Sequence, residues 1–115
     1  MSSVARTKVL WIKEEYLRHI LSGRKTIEVR VAYPNINRLQ PGDILLLNER
    51  HRYRITAIRR YPDFAALVAA EDPAAIAPDL PDRAALLDAC RALYPPEKEQ
   101  LGVVALEITP EQDSV

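Results

Sequence analysis

In Gly23-Arg24-Lys25-Thr26-Ile27-Glu28-Val29-Arg30 a short amphipathic helix stops and a strand begins. Upstream, Tyr16, Leu17, Ile20 and Leu21 recur at helical spacing and share one face, while Lys13, Glu14 and Arg18 face water. Gly23 is the natural end of that helix, because glycine takes the left-handed conformation without a Cβ clash. Beyond it, Thr26 to Val31 alternates polar and β-branched residues, the period-two pattern of a half-buried strand. Glu28 and Arg30 then share the polar face. Lys25 has the opposite parity, so it joins them only if its end of the segment twists or lies in the turn.

Working outward, Lys8 to Ile12 reads as a first strand and residues 1–6 as a frayed end. Tyr33-Pro34-Asn35-Ile36-Asn37 reads as a loop, Pro41-Gly42-Asp43 as a turn, and Ile44-Leu45-Leu46-Leu47 as a strand buried on both faces. A connection at Asn48 to Arg52 leads into a strand ending near residue 60. On it Arg50, Arg52 and Arg54 oppose His51, Tyr53 and Ile55, and Ile58 breaks the parity, so a bulge is expected near Thr56-Ala57. Asp63, Asp72 and Asp82 each suit the cap of a following helix, the last and longest ending at Pro95-Pro96. Gly102 to Thr109 alternates too little to have one wet face and is expected in the middle of a sheet, pairing far back along the chain; the tail after Pro110 is expected to be flexible.

Composition bounds the function. The 115 residues, 48% hydrophobic and 28% charged, suit a single domain with one modest core. No run is long enough to span a bilayer and no apolar signal core opens the chain, so a cytoplasmic protein is expected. One cysteine, Cys90, and two histidines, His19 and His51, make no set at metal-ligand spacing; no metal and no cofactor are expected, and Cys90 reads as a buried, inert thiol. The neutral total conceals an asymmetry: residues 1–60 carry 13 Lys and Arg against 5 Asp and Glu, and residues 61–115 carry 3 against 11. Either the basic half forms a face that attracts phosphates, or the halves pack together and neutralise one another.

The wording Gly23-x-Lys25-x-x-Glu28-x-Arg30 resembles the signature of the ASCH domain, a small β-barrel similar to the PUA fold. The resemblance extends to Trp11-Ile12-x-x-x-Tyr16-Leu17-x-x-Ile20-x-x-Gly23, to Pro41-Gly42-Asp43, and to Tyr94-Pro95 ahead of Gly102 to Ile108. With the order of elements it implies an α+β chain: a PUA-like barrel of about five to six strands, closed by non-local pairing, with two to four helices at its rim. It also implies a charged cleft that binds RNA or nucleosides, built on Lys25, Glu28 and Arg30.

Three functional classes follow. As an RNA-binding module, the chain would read a base or phosphate through Lys25, Glu28 and Arg30, with Arg24, Arg50, Arg52, Arg54 and Tyr53 as further contacts, and Arg38, Glu49 and His51 near the same cleft. As a hydrolase, it would resemble either the ASCH amidohydrolases that remove an acetyl group from N4-acetylcytidine, or a ribonuclease with Lys25 and Glu28 as acid and base. The amidohydrolases use a lysine, a threonine three residues on and a distant carboxylate; here Glu28 stands in the threonine's place and Asp79 is the carboxylate at comparable distance. As an interaction module, it would resemble the ASCH appendages of transcription coactivators. From residue type alone, a surface salt bridge is the plainer reading of Glu28 and Arg30, and the arginine strip is equally a solvated strand edge. Trp11 and Tyr94 are expected in the core, with Tyr33 and Tyr53 open.

Overall fold

A computed structural model describes residues 5–111; the expectations for residues 1–4 and 112–115 lie outside the described residues. Five strands, β1 (Thr7–Leu10), β2 (Ile27–Val31), β3 (Ile44–Leu47), β4 (His51–Tyr61) and β5 (Val103–Pro110), form one sheet in the order β1-β3-β4-β5-β2. β1 runs parallel to β3, and every other neighbouring pair is antiparallel. The result is an α+β fold whose sheet curls into a half-barrel of the small PUA-like kind.

Six helical segments occur among the described residues, more than the two to four expected: α1 (Glu14–Leu21), α2 (Pro34–Asn37), α3 (Phe64–Ala70), α4 (Pro73–Ile76), α5 (Arg83–Leu93) and α6 (Pro96–Glu99). The excess is α2 and α6, single turns started by Pro34 and Pro96, whose fixed φ suits the first helical position. The expected loop at Tyr33 to Asn37 is thus a helical turn. Asp63, Asp72 and Asp82 cap α3, α4 and α5 as expected, accepting from the N–H groups of Ala66, Ala74 and Ala85.

The sheet feeds two cores. On one face Leu45, Leu47, Tyr53, Ile55, Val104, Leu106 and Ile108 pack with Leu17 and Ile20 of α1. On its other face Ile27, Val31, Val103 and Ala105 pack with Phe64, Leu67, Leu86 and Cys90. β5 alternates between these cores, with Val103, Val104, Ala105 and Leu106 all 1% exposed or less. That is why its sequence shows no wet face and why it lies inside the sheet. The register of β4 against β5 shifts between Ile55 and Ala57, the bulge expected from the parity break.

The barrel is not closed. β1 and β2 are the two edges of the sheet and do not pair with one another. The chain leaves β1 at Trp11, whose carbonyl is met from β2 by the Arg30 guanidinium, while on the β3 side a side chain prolongs the pairing. Asn48, in the β3–β4 turn with φ 51°, donates from Nδ2 to the Ile12 carbonyl (2.9 Å) and accepts the Ile12 N–H on Oδ1 (2.7 Å). An amide side chain thereby stands in for a strand partner.

Candidate functional site

Between β2 and the segment that links β1 to α1 lies a cavity of about 250 Å³. Glu28, Val29 and Arg30 of β2 line it on one side, Trp11, Ile12, Lys13 and Tyr16 on another, and Ile76, Leu86, Cys90, Leu93 and Tyr94 complete an apolar wall.

Helix termination places the lysine. Past α1, the Gly23 N–H bonds to the Ile20 carbonyl and the Arg24 N–H to the His19 carbonyl, with Gly23 at φ 84°. This is the paired 6→1 and 5→2 arrangement of a glycine-ended helix. The Lys25 N–H also reaches the His19 carbonyl, so Lys25 belongs to the turn and not to the strand. The parity objection therefore disappears. Lys25 turns inward and is 4% exposed.

Its ammonium has three acceptors: the Ile27 carbonyl at 2.6 Å, the Ile76 carbonyl at 2.8 Å and Oε1 of Glu28 at 3.2 Å. Two of its N–H donors are thus hydrogen-bonded to carbonyls, and its charge is paired with Glu28. Its nitrogen also lies 6.0 Å from the centre of the Tyr16 ring. Arg30 holds the other end of the carboxylate, Nε donating to Oε2 of Glu28 at 2.7 Å, while Nη2 donates to the Trp11 carbonyl at 2.7 Å. Burial by itself pushes the Glu28 carboxyl up, but the adjoining Lys25 and Arg30 cations outweigh it and hold the group below the usual carboxylate range. Glu28 is an ionised carboxylate fixed at both oxygens beside an apolar cavity.

The family model of the ASCH domain matches residues 10–112. The chain belongs to the ASCH domain family. Among solved structures it is similar to hypothetical protein PH0355, whose crystal structure superposes with a TM-score of 0.86 at 28% identity, over 91% of this chain and 99% of that one. It is also similar to protein PF0455 from Pyrococcus furiosus, solved in solution, with a TM-score of 0.77 at 28% identity over 93% and 99% of the two chains. No curated protein matches the sequence.

Of the residues singled out from the ASCH signature, the fold brings Lys25, Glu28 and Arg30 together and leaves the others apart. Arg24 is exposed, its Nε 3.4 Å from the Ser22 hydroxyl. Arg50, Arg52 and Arg54 are exposed and none lines the cavity; Arg54 pairs with Glu111 at 3.3 Å. Tyr53 is a core residue, 7% exposed, with its hydroxyl 3.4 Å from the Ile20 carbonyl, and has no face for a base. Asp79 is half exposed, 3.9 Å from His19, and does not line the cavity. Neither do Arg38, Glu49 or His51.

Trp11 corrects an expectation. It is 63% exposed at the cavity, not in the core, because it shares parity with exposed Val9 while Leu10 and Ile12 are buried. The sequence carried no signal for it, since Val9 to Ile12 are all apolar and Lys8 shares the parity of the buried Leu10 and Ile12. Tyr94 is half-buried rather than fully so; it stacks on Phe64 with ring centres 5.9 Å apart and also lines the cavity. Tyr33 packs against Tyr94, 6.4 Å between ring centres, away from the cavity.

Cys90 is buried and unpaired at the cavity wall, and burial pushes its thiol up to about 11, so the inert reading stands. The charge asymmetry is partly neutralised by packing. Arg59 from the basic half binds Glu71 through Nε at 2.6 Å and Nη2 at 2.8 Å and reaches Glu107 at 3.0 Å. Glu71 also accepts a short hydrogen bond from the Tyr61 hydroxyl. The sequence does not reveal this network, since each of its bonded pairs is 10 or more residues apart along the chain. Among the described residues no group of three or more His, Cys, Asp or Glu side chains could hold a metal ion, and no helix is long and apolar enough to cross a membrane.

Proposed function

We propose that this ASCH domain is an RNA- or nucleotide-binding module that takes a single nucleoside unit into the cavity between β2 and the β1–α1 connection. One observation carries the reading: an ionised carboxylate, held at both oxygens by buried or half-buried cations, faces an apolar cavity flanked by an exposed tryptophan. A nucleobase has that mixed character, with apolar faces that stack and a polar edge that needs fixed partners. The cavity, about 250 Å³, lies just below the range for drug-sized ligands, roughly 300–1,000 Å³, which suits one nucleoside better than several. Lys13 is exposed at the cavity and supplies a cation for a phosphate. A cytoplasmic setting belongs to the same reading.

The binding reading is favoured over hydrolysis by the state of Lys25. A lysine acting as base or nucleophile needs a free lone pair, whereas this ammonium donates to two buried carbonyls and is paired with the Glu28 carboxylate. The acid required by an amidohydrolase has no counterpart at the cavity in Asp79.

The test is a parallel assay of wild type and Trp11→Ala with short labelled single-stranded RNA and with N4-acetylcytidine, scoring binding, strand cleavage and acetate release. The expected result is salt-dependent RNA binding that weakens in the variant, with no product from either substrate. Turnover lost in the variant would make the protein a hydrolase instead. Absence of both, with capture of a protein partner, would favour the interaction module.

A further inference from the structure

Resting on the reading of the cavity as a nucleoside site, we infer that it selects guanine. The argument starts from the open edge of β2. In an antiparallel pair each residue points both its N–H and its C=O toward one side, and successive residues alternate. The Thr26 carbonyl accepts from the Ile108 N–H and the Ala32 N–H donates to the Gly102 carbonyl, so residues 26 and 32 face β5. The residues between them alternate, and the Ile27 carbonyl duly points away, where it meets Lys25. Val29 has the same parity as Ile27. Its N–H and C=O therefore face the open edge of β2, and Val29 lines the cavity.

Two adjacent residues thus present a fixed pattern. Glu28 is a pure acceptor with about four lone-pair sites, of which Lys25 and Arg30 use one on each oxygen. One site on each oxygen is left for a ligand. Next along the strand, the Val29 N–H supplies a backbone donor. The complementary edge has two neighbouring N–H donors followed by an acceptor. Guanine has that edge in N2–H, N1–H and O6. Adenine and cytosine each place a ring nitrogen acceptor beside a single amino group, which would set a lone pair against the carboxylate. Uracil offers one N–H between two carbonyls and leaves one oxygen of Glu28 without a donor.

Charge supports a neutral base on an anionic backbone. Lys25, Glu28 and Arg30 sum to one positive charge, with Lys13 nearby, so a guanidinium ligand with the same pair of donors would be repelled while a nucleotide phosphate would be attracted. The exposed Trp11 ring offers a stacking surface, and a purine covers more of it than a pyrimidine.

The test uses ligands before variants, because removing the Glu28 charge leaves the buried Lys25 ammonium uncompensated. Calorimetric titration of the full chain with guanosine, inosine, 1-methylguanosine, adenosine, cytidine, uridine and N4-acetylcytidine reads the edge atom by atom. Guanosine should bind most tightly. Inosine, which lacks the N2 amino group, should bind roughly tenfold more weakly for the lost charge-assisted hydrogen bond, and 1-methylguanosine should not bind. In Glu28→Gln, provided circular dichroism shows it folded, the preference for guanosine over inosine should collapse. Equal binding of guanosine and inosine, or tighter binding of cytidine or N4-acetylcytidine, would overturn the guanine assignment while leaving the nucleoside site standing. No binding by any nucleoside would overturn both.

Discussion

Lys25 and Glu28 form a buried ion pair, 3.2 Å from Nζ to Oε1, although regular strand alternation would point them to opposite faces. The helix-ending turn at Gly23 makes the difference: it keeps Lys25 out of the strand and folds its side chain back under Ile27. The pair is as much a fastening as a site. It joins the start of β2 to the end of α4 through the Ile76 carbonyl.

Lys25→Ala should therefore destabilise as well as disable. It strips one cation from a buried carboxylate and leaves the Ile27 and Ile76 carbonyls without this donor, and breaking a buried pair in this way costs about 3–5 kcal/mol. Urea unfolding should show a lower midpoint with little change in slope. A midpoint equal to wild type would mean that Lys25 serves the ligand alone.

Acid should weaken the fold through Glu28. Its folded-state carboxyl is held below the ordinary value of 4.5, burial being outweighed by Lys25 and Arg30, so its contribution is fully present above the unfolded-state value and is lost as pH falls through the folded one. Glu71 adds in the same direction, lowered by its hydrogen bonds from Arg59 against the opposing effect of burial. Urea midpoints measured between neutral pH and about pH 3 should fall steadily, and Glu28→Gln should flatten part of that slope. An unchanged slope in the variant would sink the assignment.

Trp11→Ala should separate binding from folding. A side chain 63% exposed has little packing to lose, so stability should stay within about 0.5 kcal/mol of wild type. A base stacked on it would lose about 1–3 kcal/mol, or roughly five- to 150-fold in affinity. Intact binding would place the ligand elsewhere in the cavity.

Asn48 should prove important although it touches no ligand. Its side chain fastens Ile12, next to Trp11, and its backbone has a positive φ. Asn48→Ala loses two hydrogen bonds and adds left-handed strain, about 2–4 kcal/mol in all. Asn48→Gly removes the strain yet still frees Ile12, so it should be the more stable of the two while binding nucleoside as weakly as the alanine variant. Normal binding by the glycine variant would show that the clamp does not position Trp11.

How much was legible beforehand follows from the range of the physics. Backbone propensity and period-two alternation are local, and from them the stop at Gly23, the aspartate caps of α3, α4 and α5, the bulge beside Thr56 and the interior place of β5 could all be read. The words of the motif, with the family they resemble, marked Lys25, Glu28 and Arg30. Contacts between segments distant in sequence were not readable. The Ile76 carbonyl meets Lys25 across 51 positions, Asn48 meets Ile12 across 36, and Arg30 meets Trp11 across 19. Nothing local prefers these partners. Sequence alone determined that a lysine, a glutamate and an arginine stand where a helix gives way to a strand; tertiary structure decided that the sheet stays open there, that Trp11 stands out of the core, and that Arg50, Arg52, Arg54 and Tyr53 do not reach the cavity. The reason is that side-chain direction follows from local geometry, whereas a cavity exists only where separate elements fail to close on one another.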